Sequence, residues 1–165
     1  MQRNPTRTAL TLALALIPAA SAAQGGSPVG APLLGSWLYG RLSPVEYDDR
    51  TTDRWMDASG ATEIVTFLAD GRYERTRLLS LTTYGCTSKL FIFEKGTVKI
   101  EGDRLTYRPA EGVNKGYTCQ PPNSWKTTTV NPETWTFSFE RDASGQDLLV
   151  LRGKESELHY GRYRR

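Results

Sequence analysis

The feature that most limits what this chain can fold into is how often its apolar runs are broken. From Gly35 to the C-terminus, short segments rich in Val, Ile, Thr, Phe, Tyr and Trp alternate with clusters of Gly, Asp, Asn and Ser. Such segments read as strands, because β-branched and aromatic side chains suit a pleated, half-buried surface. Hardly any stretch holds the 3.6-residue apolar spacing that an amphipathic helix needs. Candidate strands cover 35–42, 62–68, 72–81, 89–93, 97–100, 104–108, 134–141, 147–152 and 157–163.

Several of the breaks are hairpin turns by their chemistry: Ala69-Asp70-Gly71, Glu101-Gly102-Asp103, Asp142-Ala143-Ser144-Gly145 and Gly153-Lys154. Consecutive strands then pair as antiparallel neighbours. A meander of this kind leaves two open edges unless it closes on itself, and closure removes both. The expectation is an all-β chain forming an antiparallel up-and-down β-barrel of about eight strands over residues 35–165. A sandwich would need long crossovers between most strands, and only two connections are long, 43–61 and 110–133. Loops of that length are functional or pinned. The first holds Trp55 and Met56 among Asp48, Asp49, Asp53 and Asp57, and the acids at 49, 53 and 57 share one helical face, which predicts a short helix there. It lacks the alternating acidic pattern of a calcium loop.

Ahead of the barrel, Arg3 and Arg7 precede the apolar run Ala9 to Ile17, which ends at Pro18 and the small residues Ala19 to Ala23. Charged, apolar and small residues in that order are an export signal, and the run is too short to cross a bilayer. Residues 1–23 are therefore expected to be removed, leaving a secreted or periplasmic product with no membrane span. Residues 24–34, rich in Gly, Ser and Pro and without a period, are expected to form a flexible leader. The chain carries 21 Lys and Arg against 18 Asp and Glu, and loss of Arg3 and Arg7 with the signal brings it close to neutrality. A nucleic-acid partner then has no electrostatic basis. In an oxidising compartment Cys86 and Cys119, the two cysteines of the chain, are expected to form a disulfide. A metal site would need further ligands at short spacing, and the lone histidine, His159, is far off in sequence, so no metal is expected.

The hairpin around Asp70 bears on function. A three-residue turn with Gly71 left-handed sets Phe67 opposite Tyr73, and Val65 and Glu63 opposite Arg75 and Arg77, all on one face. A two-residue turn would pair Leu68 with Tyr73 instead, and an outward-facing register would leave both arginines in solvent. Facing inward, the guanidiniums need partners, since a dry unpaired charge is costly. Two arrangements are open. Glu63 bridges Arg77 while Arg75 bends to the rim, or both arginines take a ligand carboxylate near Tyr73 and Phe67, with Trp55 contributing to a lid. On the 134–141 segment Trp135, Phe137 and Phe139 alternate with Thr136, Ser138 and Glu140, so the aromatic face is expected inside. No nucleophile elbow, phosphate loop or dinucleotide glycine motif occurs, so the chain is read as no enzyme and needing no cofactor.

Gly35-x-Trp37, Phe67-x-x-Asp70-Gly71-x-Tyr73 and Gly96-x-Val98-x-Ile100-x-Gly102-Asp103-x-Leu105-x-Tyr107 resemble the bacterial lipocalin-like domains of the calycin superfamily. The similarity continues through Trp135-x-Phe137-x-Phe139, Leu149-x-Leu151 and Leu158-x-Tyr160-x-Arg162, over nearly all of residues 35–165. The long second connection with its cysteine departs from the pattern. The resemblance implies a barrel with a cup open at one end, its base closed by a first-strand tryptophan, here Trp37, with a late arginine, here Arg162, packed over it. The expected function is that of an exported, lipocalin-like binding protein taking an apolar or amphipathic small molecule in the cup, in its sharpest form an anion held by Arg75 and Arg77. The alternative is a non-catalytic protein-binding module, such as an inhibitor of a secreted hydrolase, that uses the long loops.

Overall fold

The computed structural model describes residues 29–40 and 60–164. Its strands, in chain order, are β1 (Gly35–Gly40), β2 (Gly60–Phe67), β3 (Arg72–Thr83), β4 (Cys86–Glu101), β5 (Arg104–Thr118), β6 (Trp125–Thr127), β7 (Glu133–Arg141), β8 (Asp147–Arg152) and β9 (Glu157–Tyr163). All pairings are antiparallel, running β1 to β5, then β7, β8 and β9, and β9 returns to β1. Eight strands thus close an up-and-down barrel, while β6 lies outside the ring on the upper half of β5. The proposed export signal, the start of the leader, the acidic segment around 49–57 and Trp55 lie outside the described residues.

The segments 89–93 and 97–100 are one strand, β4, interrupted by a bulge between Lys95 and Gly96. A Cβ at Gly96 would lie 2.1 Å from the Arg108 carbonyl oxygen, so the bulge depends on glycine. The second long connection is not a loop throughout, because β5 runs on to Thr118. Pro109, Gly112, Asn114 and Gly116 are poor strand formers read alone, but the ladder with β4, from Lys95–Glu111 to Ser88–Thr118, overrides that preference. The two glycines have a packing reason. Val130 lies against Gly112 and the Trp125 ring against Gly116, each where a side chain would stand. The leader is not flexible throughout either: Val29 and Leu33 are buried at the barrel base, where Trp37 Nε1 donates to the Leu33 carbonyl at 2.8 Å.

The barrel is lopsided. β3, β4 and β5 have 12, 16 and 15 residues, whereas β1 and β8 have 6 each. At about 3.3 Å per residue the long strands run at least twice the length of the short ones. Above the last ladder pairs to β2 (Gly60–Ser80) and β7 (Tyr107–Glu133), the sheet β3–β4–β5, edged by β6, projects past the short wall. Its tip is the Tyr84-Gly85 turn, and the Cys86–Cys119 disulfide ties the start of β4 to the residue after β5. On the outer face of these long strands, below the projection, Leu78, Phe91 and Phe93 form a small cluster of their own. Lower down, Trp37, Phe67, Tyr73, Leu105, Tyr107, Leu149, Leu151 and Tyr160 fill the barrel with almost no exposed surface.

Candidate functional site

The Asp70 hairpin has the three-residue form. Gly71 has φ 82°, the Gly71 N–H donates to the Leu68 carbonyl at 3.1 Å, and the Leu68 N–H donates to the Arg72 carbonyl at 2.9 Å. Phe67 therefore faces Tyr73, Val65 faces Arg75 and Glu63 faces Arg77. Because side chains alternate along a strand, the ladder sorts the inner face into rows. Val65, Arg75, Glu94 and Gly112 form one row, and Glu63, Arg77, Ile92, Asn114 and Thr127 the next. Above them come Ala61, Leu79, Leu90, Gly116 and Trp125, then Leu81, Ser88 and Thr118. Charge is confined to the two lower rows, and the upper ones are mainly apolar.

The charged rows form one network. Arg75 is 2% exposed, with Nη2 on Glu94 Oε1 at 2.8 Å, Nη1 on Glu133 Oε2 at 3.0 Å, and its guanidinium carbon 4.4 Å from the centre of the Tyr107 ring. Arg77 Nε donates to Glu63 Oε2 at 2.6 Å, and its Nη2 lies 3.8 Å from Glu133. The carboxylates also accept from below: Tyr73 donates to Glu94 and Tyr160 to Glu63, both at 2.9 Å. Burial would lower the Arg75 pKa, but Glu63, Tyr107, Glu133 and Glu94 together raise it, so the guanidinium stays charged. Partial burial pushes the Glu133 carboxyl up, and Arg75 and Arg77 more than reverse this, leaving it below the usual carboxylate range. Burial first, then the neighbouring carboxylates, hold the Tyr73 and Tyr160 hydroxyls well above the usual phenol range, so both remain donors.

Of the residues singled out in the sequence, Arg75 and Arg77 do come together, but on internal carboxylates. The Glu63–Arg77 bridge is formed, and Arg75 does not bend to the rim as that arrangement supposed: Glu94 and Glu133 hold it inside. Phe67 stacks on Tyr107 in the packed interior, with ring centres 6.1 Å apart, and neither Phe67 nor Tyr73 stands at the mouth. Trp37 is fully buried at the base, with the Arg162 guanidinium 3.8 Å from its ring and donating to the Leu34 and Pro32 carbonyls. Of the inward aromatic face on β7, Trp135 and Phe137 pack on the core while Phe139 is partly exposed beside Trp37. His159 lies on the surface against Glu157. Cys86 and Cys119 are bonded.

Sequence reasoning missed Glu94, Glu133 and the apolar upper wall. Leu79 and Leu81 were accessible to it, since they continue the alternation of Arg75 and Arg77. Glu94 and Trp125 depend on the registers of β4 and β6, which only the folded ladders establish. Leu79, Leu81 and Trp125 are 43%, 59% and 49% exposed, an unusual concentration of large apolar side chains on one inner face. Among the described residues no group of His, Cys, Asp and Glu is placed to hold a metal ion. A separate open pocket of about 360 Å³ flanks the β4 bulge outside the barrel, where Arg72 pairs with Asp70 and Lys95 with Glu111. Comparison of the chain with protein-family models, curated proteins and solved structures finds no match.

Proposed function

We propose that the protein is an exported, lipocalin-like binding protein that takes a small amphipathic molecule at the mouth of its barrel. The observation that carries this reading is the order of rows on one continuous sheet face: half-exposed charge at Arg77 and Glu133, with exposed Leu79, Leu81 and Trp125 directly above. A polar head meets the network while a tail lies along the upper wall, gaining about 0.8 kcal/mol per buried CH₂. Below the network the interior is filled by side chains, so the molecule is held at the mouth and not in a deep cup. Calorimetric titration with a medium-chain alcohol tests the site. Binding is expected for the wild type, weakened at least about tenfold by Leu81→Asp, a loss of ~1.4 kcal/mol. Equal binding by both proteins would refute the placement.

A second reading, a protein-binding module such as a hydrolase inhibitor, is favoured by one observation. Tyr84 stands fully exposed at the tip of the projection with φ 51°, two residues from the disulfide. A rigid exposed tyrosine at a stapled turn is a good anchor for a partner. Inhibition of a panel of secreted hydrolases, lost on Tyr84→Ala, would place this reading ahead.

A further inference from the structure

The mouth reading leaves the head group undefined, and resting on that reading we propose that it is a protonated amine, not an anion. The inward arginines first suggest a fatty acid, but their charge is already more than matched. Three carboxylates, Glu63, Glu94 and Glu133, surround the two guanidiniums. An incoming carboxylate would be a fourth anion around two cations, or would have to displace Glu63 from a 2.6 Å contact with Arg77. Leaving a displaced carboxylate unpaired in that setting is strongly unfavourable.

An ammonium meets the opposite situation. Glu133 is the carboxylate that reaches the mouth, 38% exposed against 2% and 5% for Glu63 and Glu94, and it has acceptor capacity left beyond its arginine contacts. In the Arg77 row Asn114 donates its Nδ2 to the Thr129 carbonyl at 2.9 Å, which orients the amide, and its Oδ1 is buried with no partner among the described residues. That oxygen accepts; the other unpartnered buried atoms among the described residues, the Tyr107 hydroxyl and Arg75 Nε, lie in the closed interior. One row higher stands Trp125, 49% exposed, and an indole ring attracts cations over its face. Leu79, Leu90 and Leu81 then line the path of the tail.

The test is calorimetric titration of delipidated protein with decylammonium, decanol and decanoate at neutral pH and low salt. Decylammonium is expected to bind tightest, at least about tenfold more tightly than decanoate, with decanol between. In Glu133→Gln, which leaves two carboxylates on two guanidiniums, the gap between amine and acid should shrink to within about threefold. If that variant does not fold, the wild type still decides: added salt should weaken decylammonium and leave decanol alone. Decanoate binding as tightly as decylammonium, or more so, overturns the amine head and leaves the mouth intact as a site. Failure of all three ligands to bind overturns the mouth itself.

Discussion

Arg75 is the residue around which the interior is arranged. It is the largest charged side chain in the barrel with almost no exposed surface, and it holds Glu94 and Glu133 at once. Removing one member of a buried ionic cluster leaves the others dry and unpaired, so Arg75→Leu should cost about 3–5 kcal/mol in urea unfolding. Arg75→Leu combined with Glu94→Leu should cost clearly less than the sum of the two single changes. Strict additivity would mean that the pair does not interact in the folded protein. Glu133 gives the acid limb of the same network. Its folded pKa lies below its unfolded value, so the unfolded chain takes up the proton first as pH falls. The stability it contributes is therefore present above pH about 4.3 and is lost as pH drops through the folded value. Urea midpoints measured down that range should fall less steeply in Glu133→Gln than in the wild type.

Among the elements, the projection formed by β3, β4, β5 and β6 has the most to reveal. Its disulfide joins the two long strands at their free end, where ladder pairs to the rest of the ring have run out. Loop closure at this chain separation suggests roughly 3.5–4 kcal/mol of stabilisation. Alkylation without reductant, read by mass spectrometry on protein from its native compartment, should label neither Cys86 nor Cys119. Hydrogen exchange of Cys86→Ser/Cys119→Ser should rise first in the upper halves of β4 and β5, and uniform exchange across the barrel would show that the bond does not secure the tip. This is also where the sequence was hardest to read. β2, β8 and β9 carry clean apolar signatures and were legible, as was the Asp70-Gly71 turn that sets the register of the arginines. The second half of β5 was not, because Gly112 and Gly116 serve neighbours that arrive from Val130 and Trp125, and a glycine that makes room looks in sequence like a glycine that makes a turn. Glu94 and Glu133 escaped for a related reason. Each lies on a different strand from Arg75 and meets it only once the β3–β4 register and the ring closure are in place.

At the scale of the whole molecule, three buried phenols set the alkaline limit. Tyr73, Tyr107 and Tyr160 are held neutral by burial well above the usual phenol range. Their folded pKa values are raised, so the stability tied to them is complete below the unfolded value of about 10 and declines as pH climbs past it. Each should contribute a loss of about 1.4 kcal/mol per pH unit there, and phenolate absorbance should appear together with unfolding. Ionisation of all eight tyrosines of the chain ahead of any loss of structure would show that these three are not shielded.

The ring is completed by a short seam. β1 meets β9 only through Ser36–Tyr163, Trp37–Arg162 and Leu38–Gly161, pairing the first strand with the last. Contacts so distant along the chain form late, because the intervening polypeptide must already be in place. A ribosome or a translocation pore delivering this chain from its N-terminus therefore releases β9 after the other strands of the ring. Until then Trp37 has no arginine above it and the barrel is an open curl, which makes emergence of β9 the event that closes the ring.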